Sequence, residues 1–138
     1  MLLPLFRLLR KELGKERACE LLRSAVREYA TSLGESISAQ NEGTSLEKMK
    51  AAVPTFTADN ALEIEPIANT DKEFSVNVRR CKYAEYFKSI GEPEFGAMLT
   101  CEIDPPMTEA IGSDLTLKRK QTIMGGASHC DFRFSLTP

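Results

Sequence analysis

Cys101-Glu-Ile-Asp104, Arg119 and the run Gly125-Gly126-Ala-Ser-His129-Cys130-Asp131-Phe132 gather two thiols, several acids, an arginine and a glycine turn into the C-terminal part of the chain. An arginine can grip a carboxylate as a two-pronged donor. A carboxylate can pair with an amidinium and later move a proton, and a thiolate can attack carbon where a nearby cation lowers its pKa. These types together suit a small polar substrate carrying a carboxylate and an amidine or amide carbon. A structural reading stands beside this one: Arg119 and Asp104 form a buried ion pair and the thiols pack as small hydrophobes.

Strand parity sharpens the grouping. With Gly125 to Ser128 as a hairpin turn, Ile123 faces Cys130, Gln121 faces Phe132, Arg119 faces Phe134 and Leu117 faces Leu136. Arg119 and Cys130 then share the apolar face, where a guanidinium needs an anionic partner because an unpaired buried charge costs several kcal/mol. The same parity puts Arg80 on the apolar face of the preceding strand pair. Asp104, Glu85 and Glu94 are the candidate counter-ions. Helical spacing sets Cys81 with Glu85 on one ridge, and Glu94, Met98 and Cys101 on another. The expected catalytic set is Cys101, Asp104, Cys130, Cys81 and Glu85, with Arg119 and Arg80 binding substrate. His129, the single histidine, points away from the core by parity and reads as surface.

The elements that must position these groups follow from periodicity. Ala18, Leu21, Leu22, Ala25, Val26, Tyr29 and Leu33 mark one stripe of a helix over 15–33. The segment 2–12 also reads as helical, but its leucines cover more than one face, so it is either packed within the fold or docked on a second subunit. A loop follows from Gly34 to Ser45. A short helix carries Leu46, Met49 and Val53 and is expected to end at Pro54. Residues 61–67 and 72–80 read as strands around an Asn69-Thr70-Asp71 turn. Tyr83, Phe87 and Ile90 mark a short helix, with Tyr83, Tyr86 and Phe87 as a core aromatic cluster. Pro93 opens another helix, which Asp104-Pro105-Pro106 ends. Strands 115–124 and 129–136 close the chain. Helices first, then two hairpin-like pairs around a helical insert, predict an α+β fold: a small antiparallel sheet of about four strands with helices on one face. A single domain over 1–138 is expected, helical over 1–55, with sheet and insert over 60–138.

With 138 residues, 42% hydrophobic and 28% charged, the chain can bury one core. A net charge of −2 with mixed signs argues against nucleic acid or an anionic membrane as partner. The four cysteines lack paired zinc spacing and the chain has no Walker loop or dinucleotide fingerprint, so no metal and no cofactor are expected, and reduced thiols suit a cytoplasmic location. The opening segment, broken by charge after six residues, reads as neither signal peptide nor span.

At Arg80-Cys81, Gly91-Glu-Pro-Glu94, Cys101-x-x-Asp104, Arg119, Gly125 or Gly126, and Cys130-Asp131-Phe132, the chain resembles the L-2-amino-thiazoline-4-carboxylic acid hydrolase family. The resemblance implies a cytoplasmic hydrolase that opens the thiazoline ring of an amino-acid-like substrate on a route to cysteine. It adds Asp131 to the substrate-binding positions. A second expectation is a non-catalytic ligand-binding or sensor module, since the closing G-x-x-x-C-D-F run also resembles 4-vinyl-reductase-type domains. Such a module would present an apolar cavity, whereas the enzyme reading requires Arg119 and Asp104 inside. A third is a homo-oligomer assembled through the first helix.

Overall fold

The computed structural model describes residues 2–138. Three N-terminal helices, α1 (Leu2–Leu13), α2 (Lys15–Gln40) and α3 (Ser45–Thr57), lead into the hairpin β1 (Leu62–Asn69) and β2 (Glu73–Cys81). The insert α4 (Lys82–Ser89), α5 (Pro93–Leu99) and α6 (Asp104–Ile111) precedes β3 (Leu115–Lys118) and β4 (Cys130–Leu136). All pairings are antiparallel, in the order β1-β2-β4-β3. The α+β expectation holds. Two apolar clusters build the core: one seats α2, α3 and α6 on the sheet, and the other joins α1, α2, α4 and α5. No helix among the described residues is long and apolar enough to cross a membrane.

One face of the sheet is polar. There Arg133 donates to the Asn77 side chain at 2.9 Å and to the Val76 carbonyl at 3.0 Å, while Thr116 and Ser135 pair at 3.0 Å. The other face carries Phe74, Val76, Phe132 and Phe134 toward the helices, as period-two alternation requires.

Several boundaries differ from the sequence reading, each for a tertiary reason. Helix α2 does not stop at Leu33 but runs through Gly34 to Gln40. Gly34 is a point of close approach, since a Cβ there would strike the Met107 carbonyl and lie 2.7 Å from the Ala110 Cβ of α6. We expect Gly34→Ala to cost about 1–3 kcal/mol by overpacking this crossing, read as a lower urea midpoint. Helix α3 starts at a Thr44/Glu47 capping box and continues past Pro54 to Thr57. That extra turn places Phe56 against the core. Helix α5 ends already at Leu99, a 3-10 turn over Cys101–Ile103 follows, and Pro105 and Pro106 stand in the first turn of α6, which has no use for their missing N–H groups. Of the aromatic trio, Phe87 alone is buried, and Tyr83 and Tyr86 are exposed.

The C-terminal pair is not a tight hairpin. Leu115 pairs with Leu136 and Leu117 with Phe134, two residues away from the expected register but with the same parity. Pairing ends at Lys118, where the Asp131 carboxylate accepts the N–H groups of Lys120 and Gln121, each at 3.0 Å. Those donors are thereby lost to a ladder, and 119–129 becomes a loop. Gly126, at φ 105°, makes its turn.

Candidate functional site

Between the sheet and the helices lies a cavity of about 410 Å³. Its walls are mostly apolar, from Leu33 of α2, Phe56 of α3, Ile64 of β1, Val76 of β2 and Phe134 of β4. Its charged groups and thiols are Arg119, Asp104, Cys81, Cys101 and Cys130, five of the eight residues singled out from sequence, and tyrosine and threonine side chains add hydroxyls to the lining.

Arg119 leaves the end of β3 and turns inward, with 13% of its side chain exposed. Its Nη1 donates to Asp104 Oδ2 at 2.5 Å and its Nη2 to the Cys101 carbonyl at 3.0 Å. The guanidinium carbon also lies 5.2 Å from the Phe132 ring centroid, a cation–π contact that adds to its seating. Asp104 is fixed by its place at the first turn of α6, where its carbonyl accepts from the Thr108 hydroxyl at 2.7 Å. Removal from water raises the Asp104 carboxyl from 3.8 to about 6, and the Arg119 cation offsets only part of that.

Burial disfavours the thiolate at two of the cysteines. Burial raises Cys101 from 9.0 to about 11, against the opposing pull of the Thr100 hydroxyl and Arg119. Cys130 is also raised, chiefly by burial, although the Ile123 N–H points at its sulfur from 3.2 Å. Cys81 caps α4, its sulfur accepting the Ala84 N–H at 3.4 Å. A thiol held above neutral pH carries little thiolate, so the nucleophilic form is scarce.

Three expected members lie elsewhere. Glu63 pairs with Arg80 but Ile64 with Val78, so β2 bulges at Arg79 and Arg80 and its parity flips. Cys81 takes the cavity position and Arg80 turns outward, donating to Glu85 at 2.7 Å and to Glu63 at 3.5 Å. Arg80 and Glu85 are both about half exposed, which places neither against the cavity. Asp131 faces the other side and braces the 119–129 loop. Partial burial works against its ionisation, yet the amide donors of Gln121, Asp131 itself and Lys120 outweigh it and hold the carboxylate below its ordinary range. His129 also stays out of the cavity, its ring meeting Ser128 at 2.8 Å.

The apolar walls were missed from sequence as site residues, although the β1 alternation of Leu62 and Ile64 against Glu63 and Glu65 was a usable signal. Phe56 had none, because Pro54 concealed the last turn of α3. Among the described residues no cluster of three metal-binding side chains forms.

The motif order around Asp104 and Arg119 now has a spatial counterpart, and the family model for L-2-amino-thiazoline-4-carboxylic acid hydrolase matches residues 1–134. The chain belongs to that family. Membership makes it a hydrolase-type protein for a small cyclic substrate. The match reaches well beyond the motif-bearing segment, into all three N-terminal helices. No curated protein matches. Among solved structures, the phenol-responsive sensory domain of the transcription activator PoxR with phenol is similar at TM-score 0.61 and 13% identity, covering 96% of this chain and 71% of that one. At that identity the likeness concerns the fold.

Proposed function

We propose that this member of the L-2-amino-thiazoline-4-carboxylic acid hydrolase family opens a small cyclic amidine by water attack, with Asp104 moving the proton and Arg119 holding the substrate carboxylate. The observation that carries this reading is the Asp104 carboxyl set in the cavity wall against Arg119, where burial raises it to about 6. A general base is most useful when its pKa lies close to the working pH. In the proposed step, water oxygen bonds to the carbon between sulfur and nitrogen, the ring carbon–nitrogen double bond opens, and one water proton passes by way of Asp104 to that nitrogen. The carbon–sulfur bond then breaks as the new hydroxyl becomes a carbonyl, and the hydroxyl proton passes by way of Asp104 to the sulfur, leaving a carbamoyl group and a free thiol.

Cys101 and Cys130 are assigned no covalent step, because burial raises both thiols and disfavours the thiolate. We expect Cys81→Ser, Cys101→Ser and Cys130→Ser each to retain turnover of 2-amino-thiazoline-4-carboxylate, followed by thiol release. Complete loss in one of them, with substrate still bound, would favour covalent attack instead. A reduced, cytoplasmic setting accords with four free cysteines.

A second reading is favoured by the cavity's predominantly apolar walls: a ligand sensor, as the PoxR-like fold permits. Binding without any thiol or carbamoyl product across a panel of cyclic amidines would select it. Neither metal nor cofactor is assigned a role.

Helix α1 is the proposed contact between copies of the chain. Phe6 is buried and Leu3 and Leu9 pack inside, while Leu2, Leu5 and Leu8, at three-residue steps, are 51–57% exposed. Leu5→Glu with Leu8→Glu is expected to halve the apparent mass on gel filtration and leave the fold intact. An unchanged elution position counts against assembly.

A further inference from the structure

The cavity is far larger than a five-membered ring with one carboxylate and one amino group requires. Pockets of roughly 300–1,000 Å³ enclose ligands of drug size, and this one measures about 410 Å³. Its charged groups and thiols, Arg119, Asp104, Cys81, Cys101 and Cys130, stand among mostly apolar walls. From Arg119 an aromatic row runs along the sheet. The Arg119 guanidinium lies 5.2 Å from the Phe132 centroid. Phe132 stacks on Phe134 at 6.0 Å with 15° between planes, and Phe134 on Phe74 at 6.3 Å with 22°. Leu33 of α2 and Phe56 of α3 also line the cavity and pack into the same apolar cluster.

A substrate meeting only Arg119, Asp104 and the thiols would leave this apolar wall wet or empty. Water finds too few partners along such a surface, and dispersion contacts go unmade. A flat apolar group placed there would displace that water and pack along the Phe132, Phe134 and Phe74 side chains that line the cavity.

We infer that the preferred substrate is a cyclic amidine or isothiourea carboxylate bearing an aryl or comparably flat apolar substituent, whose polar head meets Arg119 and Asp104 and whose substituent lies on Phe132, Phe134 and Phe74. This rests on the hydrolase reading for the head and on the shape and chemistry of the cavity for the tail. The tail sets specificity through differential binding in an apolar slot.

The test compares 2-amino-thiazoline-4-carboxylate with its 5-phenyl and 2-anilino derivatives, using calorimetry for Kd and thiol release for turnover, on the full chain. At least one aryl derivative is expected to bind about 10- to 200-fold more tightly than the parent. Leu33→Trp, which fills the slot, and Phe56→Ala, which removes part of its wall, should both shrink that ratio. Equal Kd values for parent and both aryl compounds would overturn the inference, whether or not thiol appears. Tighter aryl binding with no thiol from any compound would uphold the tail site and remove the hydrolase reading. Tighter binding that both variants leave unchanged would also overturn it, by placing the aryl group elsewhere.

Discussion

Asp104→Asn is expected to lower kcat/KM for ring opening by about 10²–10⁴-fold, the usual contribution of a positioned proton-transfer group. The substitution keeps volume and planarity, and the amide oxygen can still accept from Arg119, so substrate binding should fall far less than kcat. What is lost is the capacity to take a proton from water. The parent protein should show kcat/KM rising with pH through an apparent pKa near 6, since only the ionised carboxylate acts as base. The variant should lose that limb. A pH profile unchanged by the substitution, even at reduced rate, would mean that another group titrates, and a variant of near-parental rate would end the proton-transfer role outright.

The same carboxyl contributes to stability with the opposite sense. Its folded pKa of about 6 lies above the 3.8 of an unperturbed aspartate, so the folded chain holds the proton more tightly than the unfolded one. Asp104 therefore adds stability that is complete below about pH 4 and is lost as pH rises through 6. Arg119 is what makes the ionised form tolerable above that range.

Arg119→Met is accordingly the substitution with the largest expected effect on stability, about 3–5 kcal/mol near pH 8, because it strands a buried carboxylate. The deficit should shrink below pH 6, where Asp104 takes up a proton and no ion pair remains to be broken. Urea melts at the two pH values measure the difference. Adding Asp104→Asn to Arg119→Met should restore much of the loss at pH 8, since the stranded charge is then gone. A pH-independent deficit would assign the effect to lost packing on Phe132 and the missing bond to the Cys101 carbonyl. Binding of the substrate carboxylate is expected to weaken in both variants that lack Arg119, as a guanidinium fork has no replacement in this cavity.

Much of this arrangement was legible before folding was considered. The requirement that Arg119 meet an acid on the apolar face is a charge argument, and Asp104 satisfies it. Alternation placed Cys130, Phe132 and Phe134 on one side, and a register error of two residues left that result intact because two is the period of a strand. Arg80 failed by the same rule: one extra residue at the Arg79–Arg80 bulge reverses every later side chain, and no apolar pattern marks it. Glu85 followed Arg80 out of the site, since the two form an exposed pair. Asp131 was drawn in by the company it keeps in sequence, yet its neighbours Cys130 and Phe132 point to the opposite face.

Residue types and local periodicity determined the α+β layering, the identity of the inward-facing strand residues and the need for an Arg119 counter-ion, because each depends on interactions within a few residues or on the charge of a single group. The cavity's size, the crossing of α2 past Gly34, the turn that carries Phe56, and the acidity of Asp104 and the thiols were decided only in three dimensions. Volume and desolvation depend on segments far apart in the chain closing over the same space.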